Sequence, residues 1–321
     1  MVPCTPEATP VLPPQTSESP GQGTGSTALE CAICFEPISD LTALPCSCKV
    51  SYCPRCWDRA LAQSFNACGQ GRCPTCRGPV RVDYDAERGQ LHFSRETENL
   101  TYGHEEECLA SGSQAGAGDG SSQGRVSHLG KAKQIREARQ KAICRLTEQA
   151  LPAQVRILER YGSAHPELRS MEETLRGLCV SELKNHIKTL GGSAAGCLEK
   201  EELVTRLKEV AGGGAALVAY WASCSGTAPT CVCGSSLEHV GGRDRARRFY
   251  GKTFSGADLE RILDRVATTS VICDLCEESV AISSSVWTCE SGDSTILHAT
   301  AYDVCDACFA RHACGGSEGV P

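Results

Sequence analysis

The sequence predicts a multidomain chain of small, metal-stapled α+β modules joined by an α-helical region and flexible linkers. Three observations lead there. Close cysteine pairs crowd both ends of the chain, which has 23 cysteines in 321 residues. Apolar residues recur at helical spacing through the middle, and stretches rich in Gly, Ser and Pro separate the parts.

The N-terminal cluster runs from Cys31 to Cys76 and holds four pairs in order: Cys31/Cys34, Cys46/Cys48, Cys53/Cys56 and Cys73/Cys76. A short knuckle between two cysteines turns both thiolates onto one cation. Two such pairs complete a tetrahedral sulfur site, the geometry and softness that Zn²⁺ takes in structural sites. Four pairs imply two zinc ions. A lone C-x-x-C would say little; four pairs in so short a segment say a great deal.

The order of the pairs resembles the RING family, in which the first pair joins the third and the second joins the fourth. The resemblance implies one zinc on Cys31, Cys34, Cys53 and Cys56, and another on Cys46, Cys48, Cys73 and Cys76. Metal then folds a segment too short to bury an adequate core, contributing about 10–16 kcal/mol per structural zinc in small peptides. RING domains that recruit ubiquitin-conjugating enzymes use an apolar residue in the first knuckle, a proline in the last and a cation after the final ligand. The matching residues are Ile33, Pro74 and Arg77. Trp57 and Leu61 follow Cys56, where the family places a short helix beside the same groove. The resemblance therefore implies a conjugating-enzyme surface of Ile33, Trp57, Leu61 and Pro74, with Arg77 bracing donor ubiquitin. The chain departs from the family in having no histidine between Cys31 and Cys76; Cys53 stands where histidine is usual. Cys68 is the spare cysteine, expected as a small buried or loop residue. The module is expected over 29–95, closed by a hairpin that carries Val80, Val82, Tyr84, Leu91 and Phe93 with its turn near Arg88-Gly89.

Composition points to compartment. Net charge is −7 with pI near 5.7, which gives no general reason to expect nucleic acid. The Pro/Thr/Ser-rich start lacks a basic region and an apolar core of the secretory kind, and no stretch has the length of a membrane span. Paired cysteines without a secretion signal suggest metal in a reducing compartment, cytoplasm or nucleus, and no membrane partner.

Residues 1–28 are low in apolar content and expected to be disordered. A flexible linker is expected over 96–130, followed by a helical region over 131–168. There Ile135, Ala138, Ala142, Ile143 and Leu146 keep helical spacing, basic residues fill the other faces, and Pro152 is expected to interrupt the helix. A solvated surface is the simpler reading of those bases. Ser170 to Glu173 fits a capping box. The apolar stripes Leu183, Ile187, Leu190 and Leu203, Leu207, Val210 then predict two short helices over 169–211. That pair looks like a SAP-type module, its run GCLEKEELV (Gly196 to Val204) closest to the C-terminal domain of the ARMET family. The resemblance implies a small interaction unit, with nucleic acid as a further partner class. Residues 212–228 are expected as a hinge, in which Trp221 packs on a neighbour.

The C-terminal region, 229–314 with a tail over 315–321, repeats the cysteine logic with Cys231/Cys233, Cys273/Cys276, Cys289 with His298, and Cys305/Cys308. The same alternation would put Cys273, Cys276, Cys305 and Cys308 on one zinc and Cys231, Cys233, Cys289 and His298 on the other, giving one or two ions here. His312 competes with His298 as the histidine ligand. YDVCDACF, Tyr302 to Phe309, looks like part of a ZZ-type zinc finger, which implies a protein- or peptide-binding module. A long insertion containing basic RDRARRF separates Cys233 from Cys273.

No phosphate loop or H-E-x-x-H occurs. The RING resemblance implies a ubiquitin ligase that forms no covalent intermediate, with a conjugating enzyme, ubiquitin and a protein substrate as partners. The alternative is a non-enzymatic zinc adaptor for protein or nucleic acid.

Overall fold

The computed structural model describes residues 29–96, 123–292, 294–298 and 301–315. The expected disorder over 1–28, most of the expected linker and the tail beyond 315 lie outside these residues.

After the second cysteine knuckle, helix α1 (Pro54–Cys68) starts on a proline, which loses nothing at a position whose amide has no helical partner. It stops at Gly69, left-handed at φ 74°, whose N–H donates to Phe65 O at 2.8 Å. Its buried face is Trp57, Leu61, Ala62 and Phe65. It accompanies an antiparallel sheet of order β1 (Gly71–Arg72), β2 (Pro79–Asp85), β3 (Gln90–Arg95). Val80, Val82 and Tyr84 alternate inward along β2, and the β2–β3 register opposes Val82 to Phe93 and Tyr84 to Leu91. The turn has Gly89 at φ 67°, a backbone that glycine adopts without cost.

Helix α2 (Gln123–Ala164) corrects two expectations. It begins inside the expected linker, and it runs through Pro152 without a break. Proline removes one amide and so leaves the carbonyl of Glu148 without its helical partner. Glu148 is exposed, so water can serve that carbonyl, while Leu146, Ala150, Ala153 and Leu158 stay buried on the packed face.

A helical unit follows: α3 (Met171–Gly177), α4 (Val180–Thr189), α5 (Lys200–Ala211) and α6 (Gly214–Cys224). Leu175, Leu183, Ile187, Leu203, Leu207 and Leu217 make its core. Ser170 precedes α3 but its side chain makes no cap bond; the boxes sit elsewhere. Glu182 accepts from the Cys179 N–H at 2.7 Å, and Glu202 from the Glu199 N–H at 3.1 Å. The expected hinge is in fact α6. Its Leu217 joins the helical unit's core while Val218, Ala219 and Ala222 join the main one, so burial on two sides orders a segment whose composition suggested a linker. Trp221 lies 4.9 Å from the His186 ring.

The C-terminal region builds β4 (Glu238–Gly241), α7 (Gly242–Tyr250), α8 (Gly256–Arg265), β5 (Thr268–Ile272), β6 (Ser279–Ala281), β7 (Ser285–Cys289), β8 (Tyr302–Cys305) and α9 (Asp306–Ala313). One sheet has the order β4-β7-β8; β5 and β6 form a ribbon. Helix α9 lies on α2 so closely that a Cβ on Gly162 would stand 1.7 Å from Ala313 O. Only glycine fits there.

One continuous core joins Trp57 and Leu61 of the N-terminal module, Leu146 and Leu158 of α2, and Trp287 and Phe309 of the C-terminal region. Among the described residues no helix is long and apolar enough to cross a membrane.

Candidate metal centres and partner face

Four sets of ligand atoms converge, each with its members within 4.8 Å of one another. In the N-terminal module they are Cys31, Cys34, Cys53 and Cys56, and Cys46, Cys48, Cys73 and Cys76. In the C-terminal region they are Cys231, Cys233, Cys289 and His298, and Cys273, Cys276, Cys305 and Cys308. Each set can hold a metal ion. A tetrahedron with metal–sulfur bonds of about 2.3 Å has edges of about 3.8 Å. The Sγ–Sγ distances fit it: 3.6 Å for Cys46–Cys73, 3.9 Å for Cys48–Cys73, 3.7 Å for Cys233–Cys289 and 3.9 Å for Cys276–Cys305. Cys289 Sγ lies 3.7 Å from His298 Nε2.

His312 belongs to none of these sets, so the histidine of the third centre is His298. Cys68 donates to Ser64 O and Gln70 O, Cys314 donates to Leu168 O, and Cys224 is exposed; none joins a centre.

Crowding four thiols splits their protonation. Burial acts to raise the Cys31 thiol, but amides at Cys34, Cys53 and Ile33 outweigh it and bring it down to about 6. The Gly78 amide does most to bring Cys76 to about 7, and hydrogen bonds from Cys273 and Cys308 bring Cys305 to about 4. Their neighbours move the other way. The Cys46 thiol does most to push Cys48 up to about 12, and burial does most to push Cys56 to about 12. A site that resists holding four thiolates alone is one that a dication completes.

The knuckles share a local device. Phe35, Arg77 and Glu277 each follow a C-x-x-C pair, and they are the described non-glycine residues with positive φ, at 61°, 58° and 61°. The amide of each donates to the carbonyl of its knuckle's first cysteine: Phe35 to Cys31 at 2.9 Å, Arg77 to Cys73 at 2.8 Å, Glu277 to Cys273 at 2.8 Å. The left-handed turn closes the knuckle, and Phe35 and Arg77 are left on the surface.

Of the residues expected to meet a conjugating enzyme, Ile33, Pro74 and the nearby Arg77 are exposed. Trp57 and Leu61 are not: both are fully buried, Trp57 stacked on Tyr52 at 5.2 Å and edge-on to Phe93 at 5.9 Å. The expectation for these two is corrected, because the hairpin after the last knuckle covers the helix face that carries them. Phe35, 75% exposed, and Leu41, 60% exposed, were not singled out from the sequence. The loop that links the first two ligand pairs, FEPISDLTALP, is itself mostly apolar, so nothing local in the sequence marks these two as the ones left exposed.

Helix α2 holds both modules by their backbones. Gln149 Oε1 accepts from Tyr84 N–H at 2.9 Å, and Arg145 donates to Val82 O at 2.8 Å. Five residues beyond Gln149, the wholly buried Gln154 accepts from Val232 N–H at 2.7 Å and donates to Thr230 O at 3.1 Å, clamping the knuckle of Cys231 and Cys233. The modules also touch directly. Asp58 of α1 accepts from Ile296 N–H at 2.8 Å, in the segment that carries His298. Burial pushes the Asp58 carboxyl up to about 6.

The basic run in α7 is spent internally. Arg245 forks onto Asp303 with two 3.0 Å bonds in the interior, Arg248 onto Glu238 with two of 2.8 Å, and Arg243 and Arg247 reach Glu260. Such pairing leaves little positive field for a nucleic acid.

No model of a known protein family, no curated protein and no solved structure matches this chain.

Proposed function

We propose that the chain is a zinc protein of the RING type, holding up to four structural Zn²⁺ ions, that promotes transfer of ubiquitin from a conjugating enzyme to a protein substrate. The observation that carries this reading is the exposure of Ile33, Pro74 and Arg77 on the two knuckles that frame the interleaved N-terminal centres. A lone exposed isoleucine is ordinary on a protein surface, so the weight rests on Ile33 together with Pro74 and Arg77 at the matching knuckle positions. Sulfur-dominated tetrahedral sets suit Zn²⁺, which is redox-inert and needs no open position in a structural role.

The chemistry would be positioning. The conjugating enzyme rests on Ile33 and Pro74, with Phe35 beside them, while Arg77 braces the donor ubiquitin so that its thioester faces the incoming amine. Restricting a reactant to the productive orientation lowers the barrier without a covalent intermediate. When bound, zinc would supply the fold of this surface. The helical unit and the C-terminal region would select the substrate.

A second reading, a non-enzymatic zinc adaptor, draws support from the burial of Trp57 and Leu61, which leaves a smaller apolar face than the resemblance implied. Discharge of ubiquitin from charged conjugating enzymes separates the two. The ligase reading expects accelerated discharge with at least one enzyme of a broad panel. It also expects Arg77→Ala to slow discharge while uncharged enzyme still binds, since the brace acts only in the reactive arrangement. A metal-loaded chain that discharges none of the panel would leave the adaptor.

A further inference from the structure

Four consecutive residues of β3, Gln90, Leu91, His92 and Phe93, line a cleft of about 1030 Å³ between the N-terminal module and the C-terminal region. Side chains alternate across a strand, so a wall made of consecutive residues presents the strand's edge and not one of its faces. β3 is the terminal strand of its sheet, paired with β2 alone among the described residues.

The direction of its outer hydrogen-bonding groups follows from β2. Tyr84 N–H and Val82 O are bonded to Gln149 and Arg145 of α2, and so point away from β3. In an antiparallel pair the residues opposite such positions also turn their amides and carbonyls outward. Opposite Tyr84 and Val82 stand Leu91 and Phe93. Their amides and carbonyls therefore project from the free edge. The two sides of this pair are treated differently: β1 and α2 side chains cover the far side of β2, while among the described residues the outer edge of β3 opens on the cleft. An uncovered edge is ordinarily blunted or paired. In the same cleft the Thr42 hydroxyl is buried with no hydrogen-bond partner among the described residues.

We propose that this cleft takes an extended peptide segment of a partner protein, which adds to β3 as the next strand of the sheet. Main-chain bonds to Leu91 and Phe93 would give affinity, and pockets for alternate side chains would give selectivity. The rest of the lining offers Val232 and Leu297, the Ser235 hydroxyl, and the charged Asp40, Arg55 and Asp58, so the selected side chains are apolar, small and hydroxylated, or charged in complement to these groups. The cleft is at the upper end of the volumes that small ligands fill, about 300–1000 Å³. It is the free strand edge that decides for a peptide. The inference does not rest on the ligase reading: in an adaptor the segment belongs to a client, in a ligase to a substrate.

The test is selection of a random-peptide display library on the full metal-loaded chain, followed by affinity and amide-exchange measurements on the selected peptides. The expected result is a set of peptides that slow exchange at Leu91 and Phe93. N-methylating the peptide amide that meets β3 should weaken binding about tenfold, the worth of a main-chain hydrogen bond. Leu91→Pro removes an outward amide at an edge where proline is tolerated, and should weaken binding similarly with metal content unchanged. Should that variant misfold, the N-methylated peptides still decide. No selected binder, binders whose protection maps outside β3, or binders indifferent to N-methylation would each overturn the proposal.

Discussion

The two metal-bearing regions use the same alternation of cysteine pairs and put it to different ends. In the N-terminal module most ligands stand near the surface: Cys31 and Cys73 are buried, but Cys76 is exposed, Cys34, Cys46, Cys48, Cys53 and Cys56 are half-buried, and exposed Ile33 and Pro74 sit inside the first and last knuckles. In the C-terminal region Cys231, Cys273, Cys289, Cys308 and His298 are buried, and Cys233, Cys276 and Cys305 are half-buried. There the inserted α7 ties into the sheet through the interior Arg245–Asp303 fork. Knuckles that lie open can be read by a partner; knuckles packed under helices hold a framework. The difference teaches that the ligand pattern fixes the staple, while the packing around it decides whether the staple is also a recognition surface.

The comparison breaks first, and most severely, if the metal is not what folds the N-terminal module. Cys34→Ser should remove a thiolate from a centre whose metal contributes on the order of 10 kcal/mol, and the module should unfold, seen as loss of dispersed NMR signals from residues 29–96. Cys68→Ser, which touches no centre, should leave them unchanged.

A smaller effect sharpens the division between core and surface within that module. Trp57→Ala empties a wholly buried site and should cost about 3–5 kcal/mol in chemical denaturation. Ile33→Ala, at a side chain 42% exposed, should cost under about 0.5 kcal/mol yet weaken conjugating-enzyme binding. Equal costs for the two would erase the distinction between the buried face and the open one.

The smallest effect concerns the link between the regions. Asp58→Ala strips the acceptor from Ile296 N–H, at a cost of about 1–3 kcal/mol for an unsatisfied buried donor. The loosened segment carries His298, so a chelator should withdraw metal faster from the Cys231, Cys233, Cys289 and His298 centre than from the other three. Uniform release would show the regions to be independent.

How much of this was legible in the sequence depends on the range of the interaction. Ligand pairs can be read because a knuckle is local: C-x-x-C states its own geometry, and the alternating order supplied the partners, His298 among them. The β2–β3 hairpin was legible for the same reason, from alternation and a glycine. What escaped was set by packing from far along the chain. Composition made 212–228 look like a hinge, but α6 is ordered by two cores that meet on it. Pro152 looked like a stop, yet the buried face on either side carries α2 through it. Trp57 and Leu61 sat at the expected positions and were turned inward, because the sheet that closes the module needs an apolar face to cover. Gln149 and Gln154 gave no signal at all, since an amide that caps a distant backbone looks like any surface glutamine.

The account rests on four closed, interleaved centres in one chain, and native mass spectrometry of the full-length protein, purified without chelator, tests that directly. Four zinc ions per folded chain are predicted, with Cys34→Ser and Cys273→Ser variants each retaining fewer. A folded wild-type chain that carries two ions or none would contradict the centres on which both the fold and its proposed function depend.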